Sequence, residues 1–384
     1  MRRDKRFRLR YVILPLLALG VFIVFFSEMP EGAQAVEQKR CAVLPKETLS
    51  VITPDRIEEM DLTINWDLQE YVAATIRRNK VSFAAVVVMD ARSGDIISLY
   101  GKDESGENCS LCLDSYLGAS LFKVVTAAAA IDYGGMSSES KYTYNGKAHT
   151  LYRHQLLPKK NRWTREVSLS RAFAQSNNVV FAKIGAQELG EIPIMLTAMR
   201  LGFWQSPLGG FECVPSTLFI PQTKYNIAEL ASGFNRYTRI SPVHAAQMVT
   251  AVLNQGNMVR PRISVSDPSV SQQVLGEDTA YQLYSMMGQT VSHGTVSRTF
   301  WNSRYDRVLK DVQLGAKSGT IDGTDPDGRR NWFVGYAVHA DTGDGITIAC
   351  LIIREDYYWI EADALSKKII RYYFSKPVTV ADNS

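Results

Sequence analysis

A serine and a lysine three residues apart open an apolar stretch of this sequence. Ser120 and Lys123 belong to GASLFKVVTAAAAIDYGG, residues 118–135, in which most other side chains are apolar. Positions i and i+3 share a helix face, so the Lys123 amine can reach the Ser120 hydroxyl. Burial lowers the pKa of a lysine, and a neutral amine beside a serine is a base beside a nucleophile. The alternative is a serine helix cap with a lysine that extends to solvent.

The surroundings of this pair distinguish it from a chance match. Ser138 and Lys141 have the same spacing, but they lie in a polar stretch without a core-helix pattern. The apolar stretch around Ser120 predicts a buried helix that ends at Gly134 and Gly135, where the backbone can turn left-handed. Burying a lysine in such a helix costs several kcal/mol unless it is paired or neutral. The context therefore favours a chemical role for Ser120 and Lys123.

Two further stretches carry hydroxyl, amide and amine groups. Ser176-Asn177-Asn178 lies between segments with helical patterns at 167–173 and 179–189. Lys317-Ser318-Gly319-Thr320 ends an apolar run that is typical of a strand. Each has an ordinary structural explanation, since Ser and Asn cap helices and lysine or glycine often ends a strand. Their significance comes from their combination with Ser120 and Lys123.

The order of the three motifs resembles that of the penicillin-recognising serine acyltransferases, which comprise the penicillin-binding proteins and the serine β-lactamases. Ser-x-x-Lys opens an apolar helix, Ser-x-Asn follows between helices, and Lys-Ser-Gly lies on a late strand. Asn177 stands where a Ser-Asp-Asn form has Asp, at a position that varies among penicillin-binding proteins. The likeness covers about residues 64–374 and includes further stretches: 90–97, 231–233, 240–246, 254–256, Pro261 and 331–336.

This resemblance implies a role for each motif residue. Ser120 would be the nucleophile, Lys123 its base, and Ser176 the relay that returns a proton to the leaving amine. Asn178 would pair with Lys123 or with the substrate amide. Backbone N–H groups of Ser120 and Thr320 would form the oxyanion hole. In the last motif, the charge of Lys317 would lower the pKa of Lys123. Lys317, Ser318 and Thr320 would bind a terminal carboxylate, and Gly319 would let the substrate lie along the strand edge. No metal or other cofactor is implied.

The resemblance implies a peptidoglycan D,D-transpeptidase that is acylated by D-Ala-D-Ala stem peptides and by β-lactams. A D,D-carboxypeptidase would differ only in taking water as the acceptor. A serine β-lactamase would need a base for the deacylating water, and no glutamate lies in a recognisable loop for that role. A silent cell-wall sensor or scaffold would predict a broken motif, whereas all three motifs are intact. Stem peptides, β-lactams and other cell-wall synthesis proteins are the implied partners.

The pattern of apolar segments predicts an α+β fold. Strand patterns lie at 83–90 and 95–101, and again at 312–320, 332–340 and 345–355, with mainly helical patterns between the two groups. Neighbouring strands without alternating helices favour an antiparallel sheet. The sequence thus predicts an antiparallel sheet flanked by helices, with an inserted all-helical lobe and a site in the cleft between them.

The N-terminus carries the pattern of a membrane anchor. Residues 1–10 hold six Arg or Lys, and residues 11–27 are uncharged. Such a pattern predicts a cytoplasmic basic tail at 1–10, a single transmembrane helix at 11–27, a tether at 28–61 and a transpeptidase domain at 62–384 outside the cytoplasm. A signal peptide cleaved after Ala35 is the alternative. The net charge of +4 over 384 residues is accounted for by the tail, which argues against nucleic-acid binding.

Two cysteines are separated by only two residues. Cys109 and Cys112 could form a local disulfide in an oxidising compartment or remain free thiols, and both alternatives stay open. No second cysteine pair or histidine cluster accompanies them, so a metal site is not expected.

Overall fold

A computed structural model describes residues 62–207, 213–354 and 360–376. The predicted tail at 1–10, anchor at 11–27 and tether at 28–61 lie outside the described residues and stay predictions. Within the described ranges, no helix has the length and apolar character needed to cross a bilayer.

The strands of the main sheet occur early and late in the described chain, and most helices lie between them. Three short two-stranded sheets also lie in that middle region, so the prediction of an all-helical inserted lobe is wrong in this respect. The strands are β1 (Phe83–Asp90), β2 (Ile96–Asp103), β3 (Gly106–Glu107), β4 (Tyr116–Leu117), β5 (Lys141–Tyr144), β6 (Arg165–Ser168), β7 (Arg239–Ile240), β8 (Asn257–Val259), β9 (Ser271–Gln273), β10 (Val312–Gly323), β11 (Gly328–His339) and β12 (Gly345–Arg354). The α-helices are α1 (Trp66–Arg78), α2 (Lys123–Asp132), α3 (Leu169–Ala174), α4 (Asn178–Lys183), α5 (Glu191–Arg200), α6 (Lys224–Ser232), α7 (Pro242–Leu253), α8 (Glu277–His293), α9 (Ser297–Phe300) and α10 (Ala362–Ser375).

The main sheet has the strand order β10-β11-β12-β1-β2-β3, and its neighbouring strands pair antiparallel. The early hairpin forms because Asp90 closes its turn: its carboxylate accepts hydrogen bonds from the backbone N–H groups of Arg92 and Ser93. Gly94 follows with a φ of +80°, a conformation that glycine adopts without a Cβ penalty. The predicted antiparallel sheet is confirmed, and β10 lies at one edge of it.

Helices cover both faces of this sheet. Alternate residues of β1 point to opposite faces, and both sets are buried, which explains the nearly continuous apolar sequence FAAVVVMD. On one face Val86 and Val88 pack with apolar residues of α1 and α10. On the other face Val87 and Met89 join a larger core with α2, α5 and α7. The two cores thus hold the sheet between α1 and α10 on one face and the helical lobe on the other.

The buried helix around Ser120 is shorter than the sequence predicts. The α-helix α2 begins only at Lys123 and ends at Asp132, and Ser120 lies in a preceding 3₁₀ turn, Ala119–Phe122. The reason is Ala119, whose φ of 48° is left-handed and interrupts a helical path from Gly118. Ser120 still lies at the N-terminal entrance of the helix.

The Cys109-x-x-Cys112 segment forms a short 3₁₀ turn rather than a disulfide. Both cysteines are buried free thiols. The Cys112 sulfur faces the backbone carbonyls of Val86, at 3.5 Å, and Tyr100, at 3.3 Å. Of the two alternatives, the structure therefore has the free thiols.

Candidate active site

The turn that carries Ser120 is held by contacts from two other parts of the fold. The Trp332 indole donates a hydrogen bond to the Leu117 carbonyl at 2.9 Å, which ties β11 to the chain just before the serine. Gly233 has a φ of +67°, and a Cβ added there would lie 2.0 Å from the Ala119 carbonyl oxygen. The strained Ala119 and the closely packed Gly233 thus fix the turn that presents the half-buried Ser120.

The Lys123 amine lies directly beneath Ser120. Lys123 is fully buried, and its Nζ lies 2.8 Å from Ser120 Oγ, 2.7 Å from Asn178 Oδ1 and 2.5 Å from the Ser232 carbonyl oxygen. Burial lowers the pKa of Lys123 well below its usual value, and the nearby charge of Lys317 lowers it further. Both effects favour a neutral amine.

The three partners of Lys123 suit that neutral amine. The Asn178 amide oxygen and the Ser232 carbonyl only accept hydrogen bonds, so they can take the two N–H groups of a neutral lysine. The third partner, the Ser120 hydroxyl, can donate its hydrogen to the remaining lone pair. This arrangement points the Ser120 proton at the group that would remove it.

The second motif is placed by the loop between α3 and α4. The Asn177 side chain caps α4 by accepting from the Val180 N–H at 3.1 Å, as the simple structural explanation predicts. Ser176 has a φ of 54°, and its side chain faces the same cleft as Ser120. The Asn178 amide nitrogen donates to the His149 carbonyl at 3.0 Å, which turns its oxygen toward Lys123. One motif therefore contains a helix cap and two side chains that line the cleft.

Lys317 approaches Ser176 from the edge strand β10. Its Nζ lies 3.1 Å from Ser176 Oγ and 2.7 Å from the Ser318 carbonyl oxygen, and the side chain is fully buried. Burial lowers the pKa of Lys317 to about 7. Lys317 can therefore exist in either protonation state near neutral pH.

The remaining residues of the third motif lie along the cleft. The Ser318 and Thr295 hydroxyl oxygens are 2.5 Å apart, which connects β10 to the loop after α8. A Cβ added to Gly319 would lie 3.5 Å from Ser120 N and 3.3 Å from Ala119 Cβ, so the strand passes close beside the serine turn. Thr320 is exposed beyond this point. The strand edge and the nucleophile thus face one shared space.

That space is a cleft of about 870 Å³. The structure brings all of the predicted site residues together there: Ser120, Ser176, Asn178, Ser318, Gly319 and Thr320 line it, with Lys123 and Lys317 buried beneath. In the described residues, no three His, Cys, Asp or Glu side chains cluster in a way that could hold a metal ion.

The second Ser-x-x-Lys match has no comparable surroundings. The Ser138 N–H is bonded to the Gln282 side chain, and Lys141 is an exposed residue of the short strand β5. This pair lies outside the cleft, whereas Ser120 lines it, in agreement with the preference that the apolar context gave to Ser120.

Three contributors to the site were missed by sequence reasoning. His149 lines the cleft, and burial, followed by the charge of Lys123, lowers the pKa of its imidazole. Thr295 supplies the hydroxyl beside Ser318, and Ser232 supplies only its backbone carbonyl. His149 and Thr295 belong to no motif, because an isolated His or Thr leaves no pattern in the sequence. Ser232 lies in the 231–233 stretch of the resemblance, but a backbone carbonyl carries no signal of its own there.

Comparison with known families agrees with this geometry. The model of the "Penicillin binding protein transpeptidase domain" family matches residues 84–370, which include every residue of the site. The chain belongs to this family. Penicillin-binding protein 3 of Bacillus subtilis (strain 168) is 23% identical over 248 residues, which are 61% of this chain and 36% of that protein. The chain therefore aligns with only about a third of that relative's length.

Solved structures of other penicillin-binding proteins share the fold. Penicillin-binding protein A of Mycobacterium tuberculosis, in its ceftriaxone acyl-enzyme complex, has a TM-score of 0.62 at 19% identity, with 81% of this chain and 78% of that chain covered. The D,D-transpeptidase domain of a peptidoglycan glycosyltransferase from Eggerthella lenta has a TM-score of 0.64 at 17% identity, with 82% of each chain covered. At such identities these likenesses establish the fold of this penicillin-binding transpeptidase domain, and its chemistry must be argued from its own residues.

Proposed function

We propose that this chain is a peptidoglycan D,D-transpeptidase in which Ser120 is acylated by the penultimate D-alanine of a stem peptide. The same serine would be acylated by β-lactams, a proposal supported by the family and by the acyl-enzyme complex of a structural relative. The observation that carries the proposal is the arrangement of Lys123, whose two acceptor partners leave its lone pair for the Ser120 proton.

Acylation would begin with transfer of the Ser120 proton to Lys123. The Ser120 oxygen would then attack the carbonyl carbon of the substrate, whose oxygen gains negative charge. The N–H groups of Ser120 and Thr320 would stabilise that charge, and a single donor of this kind contributes about 3–4 kcal/mol. The close approach of Gly319 to Ser120 N supports this assignment, because it brings the two backbone segments alongside each other.

Departure of the terminal D-alanine requires a proton on its nitrogen. Ser176 would donate its hydroxyl proton to that nitrogen and regain the proton that Lys123 took from Ser120, while Lys317, whose Nζ lies 3.1 Å from Ser176 Oγ, would hold the Ser176 hydroxyl in place. The terminal carboxylate would lie near the hydroxyls of Ser318 and Thr320 and the charge of Lys317. The edge position of β10 supports this binding mode, since an extended peptide can lie along an open strand edge.

The acyl group would then pass to an amine of a neighbouring stem, which forms the cross-link. The test is mass spectrometry of the products formed from a defined pentapeptide, with and without an acceptor amine. A cross-linked product is expected. Hydrolysed tetrapeptide alone, even with the amine present, would instead identify a D,D-carboxypeptidase, and rapid penicillin turnover would identify a β-lactamase. Absence of all three activities would favour a sensor or scaffold.

We further propose that residues 11–27 anchor the protein in the cytoplasmic membrane, with the catalytic domain on the outer side. The uncharged segment and its basic flank support this topology. Cell fractionation should recover the full-length chain with the membrane. A soluble form that begins at Val36 would show cleavage after Ala35 instead.

A further inference from the structure

A basic and mostly exposed loop forms the later part of the connection from β5 to β6. Residues 152–165, which we term the basic loop, include no Asp or Glu. They hold five cationic residues: Arg153, Lys159, Lys160, Arg162 and Arg165. The overall net charge conceals this concentration, because Asp and Glu outnumber Arg and Lys in the rest of the chain beyond its basic first ten residues.

Hydrogen bonds give the basic loop a defined shape. Gln155 is only 2% exposed, and its side chain bonds the carbonyl of Asn145 and the N–H of Tyr152. At the tip, Asn161 accepts from the Trp163 N–H at 2.8 Å, and Thr164 donates to the Asn145 side chain at 2.8 Å. The cations are therefore presented by an ordered scaffold.

This scaffold exposes large apolar side chains together with the charges. Trp163 is 67% exposed, and Tyr152 and Leu157 are each 56% exposed. The Arg162 guanidinium lies over the Trp163 ring, 4.8 Å from its centroid. Exposed aromatic rings beside cations are typical of binding surfaces, because the rings supply apolar contact area at low entropic cost.

The base of the same β5–β6 connection is joined to the catalytic cleft. The Asn178 N–H donates to the Ala148 carbonyl at 2.7 Å, and the Asn178 side chain donates to the His149 carbonyl. His149 also lines the cleft. The β5–β6 connection therefore joins the basic loop to the cleft, where the reacting end of a long ligand would lie.

We propose that the basic loop is an accessory site for the acidic glycopeptide strand that carries the stem peptide. This proposal rests on the proposed function and adds recognition of the polymer to recognition of the D-Ala-D-Ala end. Arg and Lys side chains would bind the free carboxylates of the strand, and the flat faces of Trp163 and Tyr152 would contact its sugar rings. The charge complementarity and the connection to the cleft favour this occupant over an anionic membrane surface.

The experiment compares polymeric and short substrates with the full-length protein. The probes are soluble uncross-linked peptidoglycan strands that bear pentapeptides, and a free pentapeptide. The double variant Arg162→Ala/Trp163→Ala should raise the KM for the strand about tenfold and leave that for the free pentapeptide unchanged. The charge variant Lys159→Gln/Lys160→Gln should weaken the salt dependence of strand binding.

The chain offers a matched control at a separate surface. Arg304 lies over the Tyr305 ring at 4.7 Å, and Tyr305 is 69% exposed. Neither residue lines the cleft. The double variant Arg304→Ala/Tyr305→Ala removes a similar cation and ring, and it should leave the KM for the strand unchanged.

The outcomes separate this proposal from the proposed function. All of these variants should keep the wild-type rate of acylation by benzylpenicillin, since none touches Ser120 or its partners. An unchanged KM for the strand in both loop variants would overturn the accessory site while leaving the transpeptidase proposal intact. Loop-dependent binding to anionic phospholipid vesicles without an effect on strand binding would also overturn it, in favour of a membrane surface. A wild-type protein that benzylpenicillin fails to acylate would instead contradict the proposed function.

Discussion

Replacing Lys123 by arginine tests whether its amine acts as a base. The substitution keeps a long basic side chain three residues after Ser120 but supplies a guanidinium, which does not lose its proton in proteins. Lys123 is fully buried, and its lowered pKa provides the lone pair that the Ser120 proton requires. Lys123→Arg should therefore remove the base and leave a positive charge beside the nucleophile.

The expected loss follows from the role of the lost group. General-base catalysis contributes about 10²–10⁴-fold, which is about 3–5 kcal/mol of transition-state stabilisation. Lys317→Arg provides the matched control, because Lys317 is also fully buried and also contacts a serine hydroxyl. The positive charge that attracts the substrate carboxylate remains in that variant, so we expect the acylation rate to fall only about tenfold, because the guanidinium group is larger than the amine.

The assay is the second-order rate constant for acylation by benzylpenicillin between about pH 6 and 9, a range that includes the pKa of about 7 to which burial lowers Lys317. Circular dichroism and thermal melting would confirm that both variants fold, and a Lys123→Met variant offers a smaller apolar replacement if arginine does not fit. Equal losses in Lys123→Arg and Lys317→Arg, or near-normal acylation in Lys123→Met, would refute Lys123 as the base.

Two further predictions follow from the geometry around the cleft. Gly233→Ala should lower both stability and the acylation rate, because the φ of Gly233 is +67° and the new Cβ would meet the Ala119 carbonyl. Gly135 has a φ of +62° but open space around it, so Gly135→Ala should lower the free energy of unfolding by only about 1 kcal/mol and leave the acylation rate unchanged. Equal effects in thermal melts and acylation assays would contradict that reasoning. The acylation rate should also fall as the pH rises through about 7, because Lys317 loses the charge that attracts a carboxylate. Lys317→Arg should abolish this fall. If the pH–rate profile of that variant matched the wild-type profile, Lys317 would not be the group responsible.

The sequence was sufficient to predict the class of fold and the motif residues that lie together at one cleft. The apolar context separated Ser120 from Ser138, and the strand patterns placed the third motif near the end of the chain. The two early strand patterns, separated by only four residues that end in Gly94, correspond to the β1–β2 hairpin, because local backbone chemistry decides that element. The order of the motifs then indicated one site.

Other parts of the site depend on tertiary contacts that have no local signal. The left-handed φ of Ala119 and the Ser232 carbonyl near Lys123 arise from packing between separate segments. The edge position of β10 depends on the pairing order of the whole sheet. His149 was missed for the same reason, since an irregular connection brings it to the cleft.

The most direct test of the account is to map the acylated residue. The full-length protein would be treated with benzylpenicillin, digested and analysed by peptide mass spectrometry, beside the Ser120→Ala variant. We predict one penicilloyl adduct, on the peptide that contains Ser120, and its absence from the variant. An adduct on the Ser138 peptide, or an adduct that persists in Ser120→Ala, would contradict the assignment of Ser120 as the nucleophile.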